Sequence, residues 1–86
     1  MDYPKVLSAS ALDDHTLLVA FDNNTSKTYD IAPLLSREMF LPLRNPALFR
    51  SVEVDPGGYA VVWGDAIDIS ESELWRNGKE LTGDIA

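Results

Sequence analysis

The only histidine of the chain, His15, is the residue best suited to acid–base or metal chemistry. It follows Asp13 and Asp14 in a polar segment between two apolar runs, where a turn is expected. Its imidazole could carry a proton near neutral pH or bind a metal ion. A single histidine needs further ligands to complete a metal site, and histidines in turns are usually solvated. We therefore expect His15 to be exposed and without a functional role.

Two acidic patterns suggest cation binding at first sight. Asp22, Asn24 and Ser26 have the alternate spacing with which a calcium loop begins. That loop also requires glycine at its sixth position and glutamate at its twelfth, where this chain has Lys27 and Pro33. The densest acidic group is explained by turn chemistry, strand alternation and helix capping; its members are Asp65, Asp68, Glu71 and Glu73. We predict no metal site.

Nucleophilic catalysis is not supported by the residues present. The chain has no cysteine, and its seven serines share one histidine. None of these serines lies in a G-x-S-x-G elbow, and the glycine-rich run at residues 55–58 lacks the lysine and helix of a phosphate-binding loop. We predict that the protein is not an enzyme, with no catalytic residue and no cofactor.

Three aromatic residues, Trp63, Trp75 and Tyr59, are the candidates for an interface or a pocket. Tryptophan is enriched where proteins bind one another. Trp63 and Trp75 also lie on inward-facing phases of their predicted elements, so core packing is the favoured interpretation of both. The sequence leaves the choice between core and interface open.

Composition is that of one globular domain. The chain has 86 residues, of which 45% are hydrophobic and 24% charged. A net charge of −7, with scattered lysines and arginines, disfavours direct binding to nucleic acid and suits a cationic partner protein. No apolar run could span a membrane, and the N-terminus does not resemble a signal peptide. A cytoplasmic location is therefore expected.

The order of elements predicts an α+β fold. About six short antiparallel strands form a meander, interrupted by short helices after the third strand and closed by a C-terminal helix. Gly64 and Asp65 predict a two-residue hairpin turn, Ser70 and Glu73 a capping box, and Gly78 a left-handed helix end. Residues 1–78 are expected to form a single domain, with residues 79–86 as a C-terminal tail.

Two strands, at residues 17–21 and 59–63, are apolar on both faces. Such strands are normally central in a sheet and covered on both sides. The predicted helices are too short to cover much of a sheet. Either the sheet curls around one core, or a second chain covers the other face.

Landmarks spread along the chain resemble a known family. They are Pro4 and Val6, Leu18 to Phe21, Tyr29-Asp30-Ile31 before Leu34-Leu35, Phe49 and Val52 before Val54-Asp55, Val62-Trp63, Ile67-Asp68-Ile69, and Glu73-Leu74-Trp75. Over about residues 4–76 the chain resembles the bacterial family called domain of unknown function 2442. The resemblance implies a small cytoplasmic protein of mixed sheet and short helices, without established catalytic residues. Some members carry a C-terminal helix-turn-helix, and others are encoded beside a small protein in a toxin–antitoxin layout.

Three functions follow as hypotheses. The leading one is a non-enzymatic protein-interaction module that binds itself, as a homodimer, or a small partner protein through a sheet face or edge. The second is the sensor or antitoxin-like half of a regulatory pair. The third is a small-molecule or ion-binding domain.

Overall fold

The computed structural model describes residues 3–80, which fold into two antiparallel sheets with short helices between and after them. The first sheet has the strand order β1-β2-β3-β7. Its strands are β1 (Val6–Ala11), β2 (Thr16–Phe21), β3 (Ser26–Asp30) and β7 (Lys79–Glu80). The second sheet has the order β4-β5-β6. Its strands are β4 (Glu53–Val54), β5 (Ala60–Trp63) and β6 (Ile67–Ser70). The α+β class is confirmed.

Helical turns connect the two sheets. Two 3₁₀ segments, Ala32–Leu34 and Glu38–Arg44, follow β3, and helix α1 (Pro46–Arg50) leads into β4. Asn45 caps α1 as its side chain accepts a hydrogen bond from the Ala47 N–H. Helix α2 (Glu71–Asn77) follows β6 and is the predicted closing helix.

A single apolar core joins both sheets. Alternate residues of β2, namely Leu17, Val19 and Phe21, are buried, and so are Val61 and Trp63 on β5. The remaining buried hydrophobic residues are Val6, Tyr29, Ile31, Phe40, Leu43, Phe49, Ile67, Ile69 and Leu74. The two strands with apolar residues on both faces are central in their sheets, as predicted. One core therefore takes buried side chains from both sheets.

Two predicted chain reversals have a different geometry. Trp63 pairs with Ile67, so the hairpin loop has three residues rather than the predicted two, although Gly64 has the expected positive φ of 65°. Helix α2 ends at Asn77 and Gly78 as expected, but Gly78 is not left-handed: it has φ −74° and ψ 155°. It is extended because the chain passes directly into β7, where Lys79 pairs with Thr28 of β3. These first residues of the predicted tail are thus a strand, and residues 81–86 lie outside the described residues.

Candidate functional site

An open cleft of about 290 Å³ lies between β6, the start of α2 and the 3₁₀ segments. Its apolar wall consists of Leu34, Phe40 and Ile69. Its polar groups come from Tyr29, Arg37, Asp68, Ser70 and Glu73. The cleft thus combines a small apolar wall with charged groups of both signs.

Two of the lining residues, Ser70 and Glu73, are joined by a hydrogen bond. Ser70 is the N-cap of α2, and its hydroxyl accepts a 3.2 Å hydrogen bond from the Glu73 N–H. In a full capping box the Glu73 carboxylate would bind the Ser70 N–H in return. Here it accepts a 2.7 Å hydrogen bond from the Tyr29 hydroxyl instead. The predicted capping box is therefore half formed.

The environment of Tyr29 keeps its hydroxyl protonated. Burial raises the pKa of this phenol, and its hydrogen bond to the Glu73 carboxylate raises the pKa further. The positive charge of Arg37 acts in the opposite direction but is the weaker influence. Tyr29 is consequently a hydrogen-bond donor at neutral pH rather than a base.

Strand β6 presents an open edge beside the cleft. The Glu71 N–H donates to the Tyr59 carbonyl, which extends the β5–β6 ladder by one pair. The main-chain N–H and C=O groups of an antiparallel strand point alternately to either side. Those of Ile67 and Ile69 therefore point toward β5. The N–H and C=O of Asp68 and the N–H of Ser70 therefore point away from β5. Within residues 3–80, β6 is the last strand of its sheet, and no other strand pairs with that edge.

Asp68 and Arg37 flank this edge without ion pairs. Both side chains are exposed, and among the described residues neither has a salt bridge or a side-chain hydrogen bond. Another member of the acidic group, Glu71, instead pairs with Lys5 at 2.8 Å. Of the four clustered acidic residues, only Asp68 and Glu73 are among the lining residues of the cleft.

His15 lies in a separate polar cluster. Its Nδ1 is 3.0 Å from Asp30 Oδ1, and this hydrogen bond, supported by the charge of Asp13, raises the pKa of the imidazole. The N–H groups of His15 and Thr16 donate to the Asp13 carboxylate and lower its pKa. The cluster is about half exposed, as predicted for a turn histidine. No group of three His, Asp or Glu side chains in residues 3–80 could hold a metal ion.

None of the three aromatic candidates lines the cleft. Trp63 is in the core, where its Nε1–H donates to the Phe49 carbonyl at 2.9 Å. Trp75 is half-buried, with its ring edge-on to Phe21 at 5.2 Å. Tyr59 is 57% exposed, and the Lys5 ammonium lies 4.6 Å from its ring centre. Tyr59 therefore remains available for a surface contact.

The sequence patterns assign no site to Tyr29 or Arg37, and they explain Asp68 and Glu73 by local structure. Their convergence depends on the packing of the two sheets, which local patterns do not encode. The inward phase of Tyr29 on β3 was the one signal available, because a buried tyrosine needs a hydrogen-bond partner.

The structure defines a small α+β protein with an open strand edge above a cleft. A family model described as Protein of unknown function (DUF2442) matches residues 6–80. The chain belongs to this family, which confirms the resemblance. No curated protein and no solved structure matches the chain. No helix within residues 3–80 has the length and apolar character needed to cross a lipid bilayer.

Proposed function

We propose that this protein is a non-enzymatic interaction module that binds an extended segment of a partner protein as an added strand on β6. The observation that carries the proposal is the outward direction of the Asp68 and Ser70 main-chain groups beside the cleft. Strand addition supplies affinity through main-chain hydrogen bonds and specificity through pockets for alternate side chains. The setting that we propose is the bacterial cytoplasm.

The size of the cleft supports a segment rather than a large ligand. Small-molecule sites usually enclose about 300 to 1,000 Å³. A cleft of about 290 Å³ is at the lower limit and has room for one inserted side chain. Ile69 and its neighbours Leu34 and Phe40 would surround an apolar side chain from the added strand.

The histidine cluster does not favour a hydrolase. In a Ser-His-Asp arrangement, the carboxylate and the nucleophile bind different nitrogens of the imidazole. Here Asp30 Oδ1 and Thr16 Oγ1 both approach His15 Nδ1, at 3.0 Å and 3.3 Å. The hydroxyl is therefore not placed for activation by the opposite ring nitrogen.

The proposal can be tested by selection from a displayed library of ten-residue peptides. Asp68→Pro removes the outward N–H, and proline is tolerated on an edge strand where its nitrogen faces solvent. Asp68→Ala removes only the carboxylate and is the matched control. We expect peptides that bind the wild type and Asp68→Ala but not Asp68→Pro, with all three proteins folded by circular dichroism. Binding equal in all three would contradict strand addition.

A further inference from the structure

The ionisable side chains of the segment that contains β6 are almost all acidic. Residues 51–75 contain six carboxylates and no lysine or arginine. This segment includes the whole second sheet and the first turn of α2. Asp68 lies in the middle of the open edge, and Glu73 lines the cleft beside it. A segment that adds to β6 therefore enters a negative field.

We infer, on the basis of the proposed function, that the segment bound by β6 is basic, with lysine or arginine alternating with apolar residues. In an added strand, successive side chains point to opposite faces of the sheet. Those on the face of Ile69 enter the apolar part of the cleft. Those on the face of Asp68 remain near water, beside its exposed carboxylate. The fold thus requires apolar residues on one face of the segment and favours cations on the other.

A second copy of this chain fits the same edge poorly. Pairing of β6 with β6 would bring the Asp68 side chains of both copies onto one face of a shared sheet. Like charges on facing strands are destabilising, and each copy carries a net charge of −7. Charged side chains on edge strands commonly prevent this kind of pairing between copies. Charge complementarity therefore favours a different, basic protein.

Arg37 adds a positive charge to this surface. Its exposed side chain also lines the cleft. It would repel a cation that approached the cleft interior, whereas Asp68 attracts one on the outer face. Arg37 and Asp68 together favour the register in which the apolar side chains of the added segment point into the cleft and its basic side chains point outward.

The inference is tested with three capped eight-residue peptides that alternate valine with lysine, threonine or glutamate. A fourth peptide with four valines followed by four lysines controls for charge alone. Binding is followed by amide chemical shifts of the labelled protein. We expect the valine–lysine peptide to bind at least tenfold more tightly than the valine–threonine peptide, with shifts centred on β6. The block peptide and the valine–glutamate peptide should show no saturable binding there.

Two variants test whether the preference for the lysine peptide over the threonine peptide arises at the β6 edge. Asp68→Asn should reduce the preference for lysine over threonine several-fold. Glu53→Gln, an equal change in charge on β4 at the far side of the same sheet, should leave it unchanged. Equal binding of the lysine and threonine peptides at β6 would overturn the basic-partner inference but leave strand addition intact. Absence of any binding at β6 would overturn the proposed function itself, and a dimer that is lost in Asp68→Pro would show that a second copy is the occupant.

Discussion

The hydroxyl of Tyr29 donates a 2.7 Å hydrogen bond to the carboxylate of Glu73, which lies 44 positions further along the chain. This bond connects β3 of the first sheet to the first turn of α2, which follows directly on β6. It also occupies the carboxylate that would otherwise bind the Ser70 N–H. The same contact therefore stabilises the cleft and leaves an edge amide available to a partner.

We expect Tyr29→Phe to lower the free energy of unfolding by about 1–2 kcal/mol, because a part-buried hydrogen bond to a charged group is lost. Urea denaturation provides the measurement. Tyr59→Phe is the matched control: this tyrosine is exposed, and its hydroxyl has no hydrogen bond among the described residues. If both variants lost the same stability, the Tyr29–Glu73 contact would have no special role.

Trp63 and Trp75 should differ in their contribution to stability. Trp63→Phe shrinks the ring that stacks on Phe49 and removes the indole N–H from the Phe49 carbonyl, which then keeps only main-chain donors such as the Val52 N–H. We expect a loss of about 2–3 kcal/mol. Trp75→Phe loses an edge contact with Phe21 and a partly exposed cation–π contact with Lys27, for about 1 kcal/mol. Thermal unfolding of both variants would show the difference, and the reverse order would place Trp75 in the core instead.

The sequence predicts contacts between residues that are close together in the chain, but not those between distant residues. Ser70 and Asn45 are helix caps because the chemistry of capping lies within a few residues. The alternation of Ile67, Asp68 and Ile69 predicts which side chains are exposed. It does not predict that β6 is an edge strand, because strand order is set by how the two hairpin units pack.

The histidine cluster illustrates the same limit. Asp13 is two residues from His15 and visible in the sequence, whereas Asp30 is brought in by the pairing of Thr16 with Asp30 across β2 and β3. Its hydrogen bond is the main cause of the raised pKa of His15. That contact becomes predictable only once the register of the hairpin is known.

The raised pKa of His15 makes a small part of the stability depend on pH. The folded state holds the proton more tightly than the unfolded chain, in which the pKa is about 6.5. The contribution is therefore fully present below about pH 6.5 and is lost as the pH rises through the folded-state pKa. We expect the difference in unfolding free energy between the wild type and His15→Gln to decrease as the pH rises from about 6.5 through the folded-state pKa. A difference that stays constant from about pH 5.5 to 8.5 would contradict this assignment.

Removal of the positive charge of Arg37 should strengthen binding of the valine–lysine peptide, whereas removal of the negative charge of Asp68 should weaken it. Arg37→Gln removes the cation on the cleft wall, so the valine–lysine peptide should bind about two- to fivefold more tightly. Arg44→Gln is the matched control, since Arg44 is exposed and does not line the cleft. Fluorescence anisotropy with a labelled peptide measures both variants. Weaker binding after Arg37→Gln would show that this guanidinium contacts the peptide favourably.

Amide hydrogen exchange at β6 measures whether the outer edge of this strand is open to a partner. In the free protein, the amides of Ile67 and Ile69 should be protected by their bonds to β5, and those of Asp68 and Ser70 should exchange at least about tenfold faster. Saturation with the valine–lysine peptide should protect Asp68 and Ser70 and change Ile67 and Ile69 little. Protection of Asp68 and Ser70 in the free protein, or no gain in protection when the peptide is bound, would contradict strand addition at β6.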